Sequence, residues 1–140
     1  MTKPIIGILG GGQLGMMLCD AAKKIGIETH VFCPENECPS KGRSTYFSVG
    51  DYTDEKEIIK FSNNVDYITY EFENIPIETL DCIKDQKKIR PGKKSLLLTQ
   101  DRLTEKKFLD ELDIPIAPYK DLRSIDDISS AQVEFTDSII

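Results

Sequence analysis

The chain has 140 residues, of which 39% are hydrophobic and 30% charged, and its formal net charge is −6. This length suits one domain, and the composition is typical of a folded, soluble protein rather than a disordered or fibrous one. The acidic balance argues against a general nucleic-acid or anionic-membrane binder, which needs a basic surface. No apolar run reaches the roughly 20 residues of a membrane-spanning helix and we find no signal peptide, so we expect a cytoplasmic protein.

The first part of the chain alternates predicted strands and helices. In chain order we expect a strand over residues 4–9, a helix over 13–25, strands over 28–33 and 46–49, a helix over 54–61, a strand over 65–71 and a helix over 77–83. Strands that alternate with helices predict a doubly wound parallel sheet, here of order 3-2-1-4, covered on both faces. Gly26 is expected to end the first helix, and Asp54 and Glu57 fit a capping arrangement for the second. The first helix carries one apolar side, formed by Leu14, Met17, Leu18, Ala21, Ala22 and Ile25.

The second part is less regular. We expect a fifth strand over residues 88–90, helices over 94–99 and 102–112, a short strand over 116–119 and a helix over 124–130. Asp101 is the predicted N-cap of the helix over 102–112, and Ser124 with Asp127 forms a predicted capping box. Residues 135–140 read as an apolar strand without a turn or polar tail, which indicates a chain cut inside a larger fold.

The numbers and positions of the cysteines and of the histidine exclude or disfavour several kinds of metal and catalytic site. Cys19, Cys33, Cys38 and Cys82 form no C-x-x-C pair, and we expect reduced structural thiols. His30 is the only histidine and lies in a predicted strand, so we expect it in the core or at a strand edge. A zinc site built from several histidines is therefore excluded, and a Ser-His-Asp triad would depend on this one residue.

The strongest local motif is the glycine loop Gly10–Gly15, which reads G-G-G-Q-L-G between a predicted strand and a predicted helix. Glycines let backbone N–H groups approach an anion at the helix N-terminus. A dinucleotide site would need an acidic residue where Cys33 and Pro34 stand, which weakens that interpretation. The glycines could instead serve close helix–strand packing alone. We favour a loop that binds a phosphate or another small ligand.

A second motif, Y-E-F-E-N-I-P over residues 70–76, follows the predicted fourth strand. In a 3-2-1-4 sheet this strand neighbours the first at the topological switch point, where ligands bind. We therefore expect Gln13 and Leu14 to face Glu73 and Asn74 across one crevice, which suits a ligand with a phosphate at one end and an amine at the other. The alternative is that Glu71 and Glu73 are solvated strand-end carboxylates.

A third motif, T-Q-D-R-L-T-E-K-K-F-L, begins at Thr99 and is followed by L-D-I-P-I-A-P-Y. Arg102 and Lys106 are four residues apart and share one helix face, where they can clamp phosphates. A solvated amphipathic helix explains the same spacing.

Together, in this order, the three motifs resemble those of the N5-carboxyaminoimidazole ribonucleotide synthetases, ATP-grasp enzymes of purine biosynthesis. The resemblance covers nearly the whole chain. It implies a Rossmann-like pre-ATP-grasp domain over residues 1–100, followed by a connecting helix and the beginning of an ATP-grasp domain over residues 101–140.

The resemblance also implies chemistry and residue roles. In such an enzyme ATP activates bicarbonate, and the exocyclic amine of aminoimidazole ribonucleotide takes up the carboxyl group. Backbone donors of the glycine loop would bind the ribonucleotide, and Glu73 would accept hydrogen bonds from its amine or hydroxyls. By position, the implied substrate-binding residues are Gly11, Gly12, Gln13, Leu14, Glu73 and Asn74, and the implied ATP-binding residues are Arg102 and Lys106.

The sequence departs from the family in lacking its lysine-bearing strand, its glycine-rich lid and the carboxylates that hold Mg²⁺. Because phosphoryl transfer depends on cations around the transferring group, we expect this chain alone to be inactive and to carry no catalytic or metal-binding residue. ATP, Mg²⁺ and a homodimeric state are then expected only of the complete enzyme. The alternatives are a stand-alone nucleotide- or dinucleotide-binding module and a non-catalytic remnant.

Overall fold

The computed structural model describes residues 3–134, without the side chains of residues 130 and 132–134. The chain divides into two compact units, Met1–Gln100 and Asp101–Ile140. The strand predicted over residues 135–140 lies outside the described residues. Within residues 3–134, no helix has the length and apolar character needed to cross a membrane.

The first unit is built on a parallel sheet whose four strands, in the described residues, have the order β3-β2-β1-β4. In chain order its elements are β1 (Ile5–Leu9), α1 (Gln13–Lys24), β2 (Glu28–Cys33), β3 (Tyr46–Val49), α2 (Glu55–Asn63), β4 (Tyr67–Tyr70), α3 (Ile77–Asp81) and α4 (Lys93–Thr99). The α/β class, the parallel pairing and the predicted strand order are confirmed. Leu9 pairs with Phe32 on one side and Tyr70 on the other, so these three strands end at one edge.

The main core lies on the sheet face that α2 and α3 cover. Phe32, Phe61 and Leu80 are fully or almost fully buried there, and each such side chain contributes roughly 1.5–3 kcal/mol through its removal from water. Asp54 caps α2 by accepting hydrogen bonds from the N–H groups of Lys56 and Glu57. The Glu57 carboxylate pairs with Lys60, so only the Asp54 half of the predicted capping arrangement forms.

The apolar side of α1 does not face the core. The helix buries Gly15, Cys19 and Ala22 against the sheet, and of these only Ala22 belonged to the predicted set. Leu14 is 59% exposed and Ile25 is 73% exposed, and Met17, Leu18 and Ala21 are exposed as well. The physical reason is close approach: Gly15 lies so near the Gly10 carbonyl that a larger side chain would not fit. As predicted, Gly26 follows the helix, with φ 75°.

Two short predicted strands do not form in the described part of the chain. Instead of a fifth strand over residues 88–90 there is a 3₁₀ turn, Gln86–Lys88, and a single parallel bridge between Ile68 and Ile89. Pro91 follows at once, and because it has no N–H it cannot extend a hydrogen-bonded ladder. Residues 116–119 form no regular element.

The second unit contains α5 (Arg102–Glu111) and α6 (Ile125–Glu134). Asp101 is the N-cap of α5, as predicted, and accepts the N–H of Thr104 at 2.8 Å. The predicted capping box of α6 also forms. The Ser124 N–H donates to Asp127 Oδ2 at 2.8 Å, and the Asp127 N–H donates to Ser124 Oγ at 3.3 Å.

Candidate functional site

The glycine loop crosses the carboxyl edge of the sheet between β1 and α1, and Glu71 follows β4 at the same edge. Both carboxylate oxygens of Glu71 are bound by this loop. The N–H of Gly12 donates to Oε1 at 2.8 Å, and the N–H of Gly15 donates to Oε2 at 2.6 Å. The N-terminus of α1 carries a positive partial charge, so Glu71 fills the position that an anion takes in related loops.

The close approach of Glu71 explains why the loop is made of glycines. Gly10 has φ 117°, which side-chain-bearing residues rarely adopt, and a Cβ there would collide with Glu71 Cγ. A Cβ at Gly12 would lie 2.6 Å from Glu71 Oε1. The glycine loop therefore accommodates and binds the Glu71 carboxylate of this same chain. The alternative that Glu71 is a solvated strand-end carboxylate is wrong, because it is half-buried with both oxygens hydrogen-bonded.

The predicted loop residues consequently differ in what they offer a ligand. Gly12 already donates its N–H to Glu71. Glu71 accepts hydrogen bonds from the N–H groups of Gly12 and Gly15. The N–H groups of Gln13 and Leu14, the first two residues of α1, are left for a ligand. The side chains of Gln13 and Leu14 are exposed.

A pocket of about 350 Å³ lies beside the loop at the carboxyl edge of the sheet. Tyr52 and Phe72 supply two aromatic rings, with centroids 6.1 Å apart. Burial raises the pKa of Tyr52, so its hydroxyl stays protonated at neutral pH. The full lining consists of Gly11, Gly12, Glu35, Glu37, Cys38, Pro39, Tyr52, Glu71 and Phe72. Apolar rings beside carboxylates suit a planar ligand that carries hydrogen-bond donors.

The pocket includes residues that the sequence did not single out. Tyr52 follows β3, Glu35 and Glu37 follow β2, and Phe72 follows β4. Their position just beyond strand ends was the available signal, because ligands of open parallel sheets bind at that edge.

Glu73 and Asn74 are exposed, and the pocket lining includes Glu71 and Phe72 instead. The structure therefore brings Gly11 and Gly12 to the pocket and leaves Gln13, Leu14, Glu73 and Asn74 out of its lining. Gln100 holds the Glu73 segment: its Nε2 donates to the backbone carbonyl of Glu73 at 2.8 Å and to that of Ile75 at 2.7 Å. Gln100 is part of the third motif, but its role was not predicted.

In the second unit, Arg102 and Lys106 line one pocket of about 330 Å³, together with Leu103, Tyr119, Lys120, Asp121 and Leu122. The Arg102 side chain is 79% exposed and pairs with the carboxylate of Glu105 on the same helix. Lys106 is half-buried. The predicted shared face of these two cations is confirmed, and it forms a wall that suits an anionic group.

His30 is a core residue, as expected. It is buried, its Nε2 lies 2.8 Å from Ser48 Oγ, and its ring packs edge-on against Phe61. Burial lowers the pKa of His30. Within the described residues, no group of three or more His, Cys, Asp or Glu side chains is placed to hold a metal ion.

Known proteins match both the sequence and the fold. The family model of the ribonucleotide synthetase preATP-grasp domain matches residues 1–100. The N5-carboxyaminoimidazole ribonucleotide synthase of Brucella melitensis is 41% identical over 115 residues, which cover 82% of this chain and 32% of that protein. The bifunctional purine synthesis protein purC/E of Dictyostelium discoideum is 42% identical over 126 residues, which cover 90% of this chain and 13% of that protein.

Among solved structures, the N5-carboxyaminoimidazole synthetase from Staphylococcus aureus complexed with ADP superimposes with a TM-score of 0.81 and 36% identity. The match covers 94% of this chain and 36% of that one. This chain thus spans about a third or less of the length of these relatives. From the match over residues 1–100 and the shared fold, the chain belongs to the ribonucleotide synthetase preATP-grasp domain family.

Proposed function

We propose that this chain forms the ribonucleotide-binding lobe of an N5-carboxyaminoimidazole ribonucleotide synthase, a cytoplasmic ligase that carboxylates aminoimidazole ribonucleotide with ATP and bicarbonate. The observation that carries the proposal is the pocket at the carboxyl edge of the sheet, where Tyr52 and Phe72 stand beside carboxylates on a chain of this family. Residues 1–100 would form the pre-ATP-grasp domain, and residues 101–140 the beginning of the ATP-grasp domain.

The pocket chemistry suits the aminoimidazole and ribose parts of this ligand. A planar imidazole packs favourably against aromatic rings, and an exocyclic amine and ribose hydroxyls are donors that carboxylates accept. Glu35 and Glu37 make the lining acidic, which disfavours a phosphate inside it. The phosphate would therefore lie outside, where the N–H groups of Gln13 and Leu14 begin α1.

Glu73 is proposed to accept a hydrogen bond from the substrate amine or a hydroxyl, with Asn74 beside it. Its exposed carboxylate suits this role better than that of Glu71, whose two oxygens are already bound by the glycine loop. Gln100 supports the role, because its amide fixes the backbone on both sides of Asn74.

Arg102 and Lys106 are proposed to contact ATP in the complete enzyme. A guanidinium stays charged and binds phosphate oxygens in a bidentate manner, and Arg102 would exchange its exposed pairing with Glu105 for the nucleotide. Mg²⁺ use and a homodimeric state are proposals for the complete enzyme alone. We expect this chain by itself not to hydrolyse ATP, because phosphoryl transfer depends on cations around the transferring group and the resemblance to these enzymes places the Mg²⁺-holding carboxylates outside residues 1–140.

Isothermal titration calorimetry of the 140-residue chain with aminoimidazole ribonucleotide tests the proposal. We expect saturable 1:1 binding, weaker binding to Glu73→Ala, and weaker binding of ribose 5-phosphate, which lacks the imidazole. Saturable binding of a nicotinamide dinucleotide with no response to aminoimidazole ribonucleotide would instead favour the dinucleotide-binding module. If no ligand binds, the chain is a non-catalytic remnant.

A further inference from the structure

Two thiols lie side by side next to the glycine loop. Cys33 is the last residue of β2 and is fully buried, while Cys38 lies in the loop between β2 and β3 and lines the pocket. Their Sγ atoms are 3.4 Å apart, and both thiols are free. The proposed function uses neither thiol.

The glycine loop holds this pair in place. A Cβ at Gly11 would lie 2.6 Å from the Sγ of Cys33 and 2.6 Å from that of Cys38, so only a glycine lets the backbone rest against both sulfurs. The Ser40 N–H donates to the Gly11 carbonyl at 3.0 Å, which ties the segment that carries Cys38 to the same loop. The two sulfurs therefore cannot easily move apart.

The two sulfur atoms need only a short movement to form a disulfide bond. A disulfide has its sulfurs about 2.05 Å apart, so the gap must close by roughly 1.4 Å. Cys33 is fixed by the pairing of β2 with β3, but Glu35, Asn36 and Glu37 between the two cysteines are exposed. This exposed segment can adjust and carry Cys38 towards Cys33.

We propose that Cys33 and Cys38 are a redox modification site, at which a low-molecular-weight disulfide converts the two thiols into a reversible intramolecular disulfide beside the glycine loop.

The reaction proceeds in two exchanges. The Cys38 thiolate attacks one sulfur of the small disulfide, whose S–S bond breaks and releases the first small thiolate. Cys33 then loses its proton and attacks Cys38 Sγ, which releases the second small thiolate. Two cysteine thiols are oxidised, one small disulfide is reduced to two small thiols, and the two cysteine protons are taken up by those products.

The order of attack follows from access. Cys38 reaches solvent at the pocket, whereas Cys33 is enclosed. Burial, and after it the neighbouring Cys38 thiol, together raise the pKa of Cys33 to about 12, so the Cys33 thiolate is scarce while Cys38 is reduced. Once Cys38 is in a mixed disulfide, its thiol no longer raises the pKa of Cys33.

Thiol mapping tests the proposal without any ligand. The whole chain is treated with 2-hydroxyethyl disulfide, whose lack of charge avoids repulsion by Glu35 and Glu37. The remaining thiols are then alkylated, and the chain is digested with a glutamate-specific protease, which cuts between the two cysteines. We expect two of the four thiols to be lost, a product two hydrogen atoms lighter, and one cross-linked peptide pair that contains Cys33 and Cys38. Dithiothreitol should restore all four thiols.

Two variants sharpen the outcome. In Cys38→Ser the cross-link should disappear and Cys33 should stay reduced. In Cys82→Ser, which removes a half-buried thiol that donates to the Glu78 carbonyl at 3.2 Å, the cross-link should form at the wild-type rate. The proposal is overturned if all four thiols of the wild-type chain survive, if the mixed disulfide on Cys38 persists, or if the cross-link joins Cys19 or Cys82.

Discussion

The N–H of Gly15 donates to Oε2 of Glu71 at 2.6 Å, although the two residues are 56 positions apart in the chain. The other oxygen of the same carboxylate accepts the N–H of Gly12, the N-cap of α1. Helix N-termini are usually capped by a side chain of the N-cap residue or of the first turn. Here a glycine occupies the N-cap, and the capping oxygens come from the residue that follows β4.

Replacing Glu71 by Gln should lower the free energy of unfolding by about 2 kcal/mol, because an amide offers one acceptor and turns a donor towards the other N–H group. Urea denaturation measures the loss. The matched control is Glu73→Gln, at an exposed carboxylate in the same segment, which should change the free energy of unfolding by less than about 0.5 kcal/mol. Equal stability of the two variants would show that the Glu71 carboxylate does not cap α1.

Gly15→Ala should destabilise the chain by about 2 kcal/mol, although alanine normally favours a helix interior over glycine by about 1 kcal/mol. The added Cβ would lie 2.7 Å from the Gly10 carbonyl and 2.9 Å from Ser40 Oγ. Gly92→Ala is the control, since nothing lies within 4 Å of a Cβ there, and it should cost less than about 1 kcal/mol. Thermal unfolding of both variants checks this. A stabilised Gly15→Ala would contradict the close contact of α1 with the glycine loop.

Gln100→Leu should cost about 1–2 kcal/mol of stability and weaken the binding of aminoimidazole ribonucleotide, because the Glu73 segment loses the amide that holds two of its carbonyls. Gln86 provides a matched control, since its Nε2 donates to the carbonyls of Leu80 and Ile83 at 2.8 and 2.6 Å. Gln86→Leu should lose similar stability and keep the wild-type affinity. Calorimetric titration separates the two effects, and an equal affinity loss in both variants would refute a positioning role for Gln100.

Protonation of His30 should lower the free energy of unfolding in weakly acidic solution. Burial lowers its pKa in the folded chain below the ordinary 6.5, so the unfolded chain binds the proton more readily. The contribution of neutral His30 to the free energy of unfolding is therefore complete above pH 6.5. It is lost as the pH falls from 6.5 towards the folded-state pKa of His30. Urea denaturation between about pH 7.5 and pH 5.5 should show this slope, and His30→Gln, which keeps a hydrogen-bonding group for Ser48, should flatten it. An equal slope in the variant would assign the effect to other groups.

Much of the sheet could be predicted, because its strands are apolar runs bounded by glycine, proline and polar turns. The strand order was expected from the doubly wound fold class, whose parallel connections are right-handed. The buried side of α1 could not be predicted from the sequence, because its core-facing residues are small. Periodicity places large apolar residues such as Leu14 and Ile25 inwards and gives Gly15 no weight.

The site was harder to predict than the sheet. Glu71 and Glu73 are equivalent in the sequence, and only three-dimensional proximity shows that Glu71 is bound by the glycine loop. Tyr52 comes from a connection without any motif, and its signal was its position just beyond the end of β3. Arg102 and Lys106 share a face as predicted because helical spacing is a local property.

The Glu71 cap also determines when the first helix can be completed during synthesis. The ribosome releases β1, α1 and β2 well before residues 67–71, so the nascent chain carries β1 without its β4 partner and α1 with the N–H groups of Gly12 and Gly15 uncapped. Contacts of such sequence separation slow folding, since the intervening chain must be ordered before they form. A ribosome stalled before codon 67 should therefore hold a protease-sensitive chain, and protection should appear only after Glu71 has left the exit tunnel.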